Sequence, residues 1–207
     1  MPGLKIIEGK AAPLPIDNID TDQIIPAQFL KISKREGLGR YLFYRWRYDD
    51  EGRPKEGFVL DDDRFRGAPI LITGRNFGIG SSREHAVWAL VDFGIRAVIS
   101  TSFGDIFYEN AARNGLACIK LSENIVKELL ERASRGDLIL RIDLEKKVVE
   151  YEDKVVPFEI DESVRKMLVL GLDEIGVTLQ NYREAINAYE ERLGRRFSIN
   201  RGVFTTL

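Results

Sequence analysis

Three short apolar runs, at residues 68–73, 97–100 and 117–121, alternate with helical patterns at 82–93, 105–114 and 123–135. That alternation constrains the fold more than any other feature of the chain. Runs this apolar, with Lys120 the one charged residue in them, suit strands buried on both faces, and each intervening helix returns the chain to start the next strand in the same direction. The expected class is α/β with a partly parallel sheet. Residues 138–143, 148–151 and 154–158 read as short antiparallel strands, the last two joined at Glu152-Asp153. The tail, 162–193, is helical in pattern with breaks at Gly171 and Gly176, and 198–207 reads as irregular.

The N-terminal third is harder to place. Residues 5–22 read as loop-rich because of Pro13 and Pro15, and they end in the acidic cluster Asp17-Asn18-Ile19-Asp20-Thr21-Asp22. Ile24-Ile25-Pro26 opens a short segment that closes on Phe29-Leu30-Lys31, and 37–46 carries an aromatic, basic helical pattern. Residues 49–66, with Gly52, Pro54 and three consecutive aspartates from Asp61, predict an excursion over the surface. A single domain over 1–207 is expected, with its core at about 68–142.

Composition narrows the function classes. A net charge of −2 lacks the basic excess of a nucleic-acid binder. No run approaches the ~20 apolar residues that span a bilayer, and residues 1–14 lack the apolar core of a signal peptide. One cysteine, Cys118, allows no intrachain disulfide and fits a cytoplasmic protein. One cysteine and one histidine, His85, cannot assemble a Cys/His zinc or cluster site, so no metal is expected on this chain.

Chemistry concentrates in Gly78-Ile79-Gly80-Ser81-Ser82-Arg83-Glu84-His85, between the first apolar run and its helix. Unpartnered first-turn amides and the positive end of the helix dipole favour an anion there, and two hydroxyls and a guanidinium suit a carboxylate. The pattern is not a dinucleotide fingerprint, since Arg83 stands where the third glycine belongs. It has neither a Walker lysine nor the glycine spacing of a nucleophile elbow. A plain strand-to-helix turn, with serines capping the helix, fits the same residues.

Three stretches carry a family resemblance: residues 18–26 (Asn-Ile-Asp-Thr-Asp-Gln-Ile-Ile-Pro), 74–90 around Ser81, and 99–111 (Ile-Ser-Thr-Ser-Phe-Gly-Asp-Ile-Phe-Tyr-Glu-Asn-Ala). In this order they resemble the swivelling domain of the aconitase superfamily and, more narrowly, the small subunits of bacterial 3-isopropylmalate dehydratases. Ile79 departs from the cysteine common in that family. The resemblance implies a swivelling β/β/α domain with a helical C-terminal extension. It implies a hydro-lyase that interconverts 2- and 3-isopropylmalate by dehydration and rehydration in leucine biosynthesis. Related diacid hydro-lyases acting on homoaconitate, citraconate or an alkylmalate are alternatives, as is a non-catalytic carboxylate-binding module.

By that resemblance a [4Fe-4S] cluster sits on a separate large subunit, and this chain binds none. Ser81 corresponds to the catalytic base, and Ser82 and Arg83 to substrate-binding positions. Phe29, Leu30 and Lys31 fall where the family's specificity segment lies. Asp20 and Asp22 would stand near the site mouth, Asp22 orienting a catalytic group. As a pattern alone, Asp20-Thr21-Asp22 fits a structural helix cap or solvated turn as well as it fits a site. His85, one turn after Ser81, reads as structural or supporting.

Overall fold

In the computed structural model, which describes residues 3–171 and 174–197, part of the stretch expected to be loop is the longest strand, β1 (Ile6–Leu14). Pro13 hides it, because a proline cannot donate to a ladder. The structure accommodates that proline by changing partners along β1. Residues 6–10 pair antiparallel with β5 (Ile139–Asp143), while residues 11–14 pair in parallel with β2 (Ile70–Thr73). The Ala11 N–H donates to Leu138 O at 3.1 Å, on the β5 side. Two residues on, Pro13 faces the same way, beyond the end of β5.

Seven strands form one sheet in the order β4 (Ala117–Lys120), β3 (Ala97–Ser100), β2, β1, β5, β6 (Val148–Tyr151), β7 (Lys154–Pro157). The four from β4 to β1 run parallel and the rest antiparallel. Between β1 and β2 lie α1 (Thr21–Ile24) and α2 (Tyr44–Arg47). The crossovers α3 (Glu84–Phe93), α4 (Asp105–Arg113) and α5 (Glu123–Ala133) then link β2 to β3, β3 to β4 and β4 to β5. Leu14, Leu71 and Val98 bury one sheet face against Ala86, Leu90 and Ala111. Ile70, Ile99 and Ile119 bury the other against Val126 and Leu129. Burial on both faces is why these strands read as apolar runs, broken only at the exposed Lys120 of β4.

The helix expected over 37–46 is broken. Phe43 takes φ 49° between a 3-10 turn, Gly39–Tyr41, and α2. Its ring is fully buried, stacks on Trp46 at 5.2 Å, and its N–H donates to Ile24 O at 2.8 Å, so tertiary packing outweighs the local pattern. The 49–66 stretch is only partly a surface excursion. Leu60 and Phe65 are buried, and Asp61 takes a two-pronged ion pair from the buried Arg47 at 2.6 and 2.8 Å.

The chain divides into two units, Met1–Gly171 and Leu172–Leu207. α6 (Glu162–Leu170) ends as expected at Gly171, with φ 66°. α7 (Glu174–Phe197) runs through Gly176, where a break was expected, and departs from helical geometry at Tyr182 instead (φ −117°, ψ 16°). Residues 198–207, expected to be irregular, lie outside the described residues.

Candidate active site

The loop after β2 is sewn on both sides to other parts of the chain. Gly78 N–H donates to Ile19 O at 2.7 Å and Thr21 N–H to Ile79 O at 2.9 Å. On the other side Phe77 N–H donates to Ser102 O at 3.1 Å and Gly104 N–H to Phe77 O at 2.9 Å. Asn76 holds both flanks, its amide donating to Asn18 Oδ1 and its side-chain oxygen accepting from Ser102 Oγ. Gly78 has φ 76°, and a Cβ there would lie 2.3 Å from the buried Phe107 ring. Gly78→Ala combines left-handed backbone strain with overpacking and is expected to destabilise the chain by about 3 kcal/mol. Urea denaturation checks this, and an unchanged midpoint would refute the steric reading.

This framing presents Ser81 and Ser82 to solvent and holds Arg83 beside them with its side chain 18% exposed. Arg83 Nε donates to Ser81 Oγ at 3.0 Å, and its Nη1 donates to Asp22 Oδ1 at 2.6 Å. The buried Thr21 hydroxyl donates to the Ser81 carbonyl at 2.9 Å, fixing the backbone of the serine rather than its side chain. Asp22 is a hub. It also accepts from Ala27 N–H at 3.0 Å and from Arg45 Nη1 at 2.5 Å. The Arg83 guanidinium, with those two donors, holds the Asp22 carboxyl below its ordinary pKa despite partial burial.

α3 begins at Glu84, two residues later than expected, because Arg83 is extended at φ −133°. Ser82 is therefore not a helix cap, and its Oγ meets no hydrogen-bond partner among the described residues. No side chain caps α3, and Ala86 N–H turns back to Arg83 O at 3.0 Å, which leaves the Glu84 and His85 amides at its start open to an anion.

Asp20 and Asp22 separate in role. Asp20 caps α1 in a reciprocal box with Gln23, at 2.7 and 2.8 Å. His85 does not reach Ser81. Its Nε2 meets Ile32 O at 3.0 Å, and the ring packs on Trp88. Phe29 stacks on Tyr41 at 4.0 Å, Leu30 is half-buried against the core, and Lys31 is exposed. The ends of this segment are tethered to site residues, Ala27 to Asp22 and Ile32 to His85.

Ser81 and Arg83 open onto a cleft of about 240 Å³, lined also by Thr21, the Gly78–Gly80 backbone and the Gly104–Phe107 start of α4. Phe29, Leu30 and Lys31 are not part of that lining. Arg45, Asp105 and Ile106 carry no signal of their own in the sequence, and Thr21 is legible there only as part of the Asp20-Thr21-Asp22 pattern. Tertiary placement is what brings them to the site.

The donor set does not fit an iron–sulfur cluster. Cys118 is buried within β4, where desolvation pushes its thiol far up, and His85 is engaged by Ile32 O. Among the described residues no three His, Cys, Asp or Glu side chains gather as metal ligands.

Residues 1–124, more than half of the chain, match the family described as the aconitase C-terminal domain. This chain belongs to that family. Within the aconitase-type proteins it is 51% identical over 192 residues to the 3-isopropylmalate dehydratase small subunit of Methylorubrum populi, covering 92% of this chain and 96% of the relative. The corresponding protein of Phenylobacterium zucineum is 51% identical over 185 residues, 89% and 91% of the two chains. A solved 3-isopropylmalate dehydratase structure from Methanocaldococcus jannaschii superposes with a TM-score of 0.64 at 28% identity, covering 89% of this chain and 99% of that one. The expected α/β class with a partly parallel sheet is borne out by the strand order and by this likeness.

Proposed function

We infer that this chain is the small subunit of a 3-isopropylmalate dehydratase, a hydro-lyase acting on a small alkyl-bearing diacid. The observation that carries the reading is the Ser81 hydroxyl in contact with Arg83 Nε at 3.0 Å, in an open cleft beside an uncapped helix start. Arg83, Ser82 Oγ and the first amides of α3 hold a substrate carboxylate. Ser81 Oγ removes the proton from the carbon next to that carboxylate. The C–H bonding pair becomes the alkene as the hydroxyl leaves the neighbouring carbon with its own pair. Return of water to the other carbon, with Ser81 giving its proton back, completes the isomerisation.

A free serine is a weak base, and the Arg83 guanidinium lowers the cost of the alkoxide. Asp22 keeps that guanidinium in place, and the tether from Asp22 to Ala27 and from His85 to Ile32 holds the Phe29–Leu30–Lys31 segment beside the site.

The departing hydroxyl needs a group that the described residues do not supply, and it falls to a large subunit carrying the iron–sulfur cluster. No helix among the described residues is long and apolar enough to cross a membrane, and the lone buried thiol supports a cytoplasmic setting. The test is purification of this chain alone and together with its large subunit. The pair should carry iron and isomerise 3-isopropylmalate, while the chain alone should fold, carry no iron and show no turnover. Turnover by the chain alone would overturn the two-subunit reading.

A further inference from the structure

We propose that Asp105 and Ile106, the first two residues of α4, form the wall that reads the substrate's variable group, accepting an alkyl branch and refusing a third carboxylate. This rests on the cleft being the substrate site. Ile106 is 50% exposed, although the other apolar positions of α4, Phe107, Ala111 and Ala112, are buried. A single exposed isoleucine carries no meaning by itself. Its position does, because it lines the same cleft as Ser81 and Arg83.

The cleft is chemically two-sided. One side presents the Arg83 guanidinium and the Ser81 hydroxyl. Another presents a branched aliphatic side chain next to the exposed Asp105 carboxylate, which pairs with no cation among the described residues. A malate skeleton bound through a carboxylate at Arg83 turns its remaining substituent toward Ile106. An isopropyl group there leaves water and packs on the Ile106 side chain. A carboxylate in the same place would face the Asp105 charge across a partly enclosed cleft. Attraction to one group and repulsion of its competitor together make the discrimination.

The experiment uses the complex with the large subunit and compares kcat/KM for 3-isopropylmalate, for a malate bearing a methyl branch, and for one bearing a carboxymethyl branch. Ile106→Ala should lower the isopropyl-to-methyl ratio about tenfold, and Ile106→Val, a smaller perturbation of packing, should lower it in part. Asp105→Asn should raise the carboxymethyl-to-isopropyl ratio several-fold. Thermal melting and subunit co-elution are followed for each variant. Equal losses on all three substrates with weakened co-elution would show that Ile106 meets the large subunit instead, and the proposal would fall. Unchanged ratios in Ile106→Val and Asp105→Asn, with Leu30→Ala altering them, would move specificity to the Phe29–Lys31 segment and also overturn it. Ser81→Ala in the same complex separates this from the underlying reading. If that variant is inactive while the ratios stay fixed, only the wall is wrong; if it turns over normally, the site assignment is wrong and the wall falls with it.

Discussion

Ser81→Ala, assembled with the large subunit, is expected to lose about 10³-fold in kcat, within the range seen when a positioned base is removed. KM should change far less, because Arg83, Ser82 and the α3 amides remain to hold the carboxylate. The substitution is structurally mild. Ser81 is exposed, so its hydroxyl fills no core volume. The bond that fixes the loop at this point runs from Thr21 Oγ1 to the Ser81 carbonyl, which alanine keeps. Loss of turnover with unchanged melting and co-elution therefore reports on chemistry. Exchange of the substrate's C–H with solvent deuterium is a second readout, and it should stop along with turnover. Near-parent kcat under conditions where proton removal limits the rate would remove Ser81 from the role of base.

The fold was legible wherever local pattern and tertiary environment agreed. β2 and β3 announce themselves because both of their faces are buried, β4 because all of it but Lys120 is, and α4 and α5 because an amphipathic face meets the sheet. β1 is hidden because Pro13 mimics a breaker, and only the exchange of partners from β5 to β2 makes that proline harmless. The turn at Phe43 is hidden for the opposite reason. Its sequence neighbourhood is helical, but burying the ring requires a left-handed backbone. Gly176 shows that one glycine need not stop a helix that its neighbours favour.

At the site, the residue types between Gly78 and His85 suit a carboxylate, and the ordered family resemblance implies a hydro-lyase. The division of labour did not show. Asp20 and Asp22 are two residues apart and chemically identical, yet one closes a helix cap and the other holds Arg83. That split follows from α1 starting at Thr21, a four-residue helix too short to leave a periodic signature. His85 likewise sits one turn from Ser81 in sequence but turns to the Ile32 carbonyl, 53 residues away along the chain.

Asp22 and Arg83 together define the second large effect. Arg83 uses two different nitrogens, Nε toward Ser81 and Nη1 toward Asp22, at 3.0 and 2.6 Å. A lysine has one nitrogen and no planar fork, so Arg83→Lys must give up one contact or weaken both. It is expected to raise KM and lower kcat/KM by about 10²-fold, in line with the cost of a misplaced catalytic group. Asp22→Asn leaves the guanidinium in place but removes its anchor, and with it the charge partner of Arg45. Its kcat/KM should also fall, by roughly 10-fold to 10²-fold, with a smaller loss of stability.

The pH dependence of that stability has a defined sign. The Asp22 carboxyl is held below its ordinary value of 3.8, first of all by Arg83. Its contribution is therefore fully present above that ordinary value and disappears as pH falls through the lowered folded one. The stability gap between parent and Asp22→Asn should be constant near neutrality and close only in acid. Urea midpoints from pH 7 down to about pH 2, with kinetics at neutral pH, check both halves. Parent-like kcat/KM in Asp22→Asn would mean that Ile25 O and Ser81 Oγ suffice to aim Arg83. Asp22 would then be an anchor for Ala27 and Arg45 alone, with no part in presenting the guanidinium to substrate.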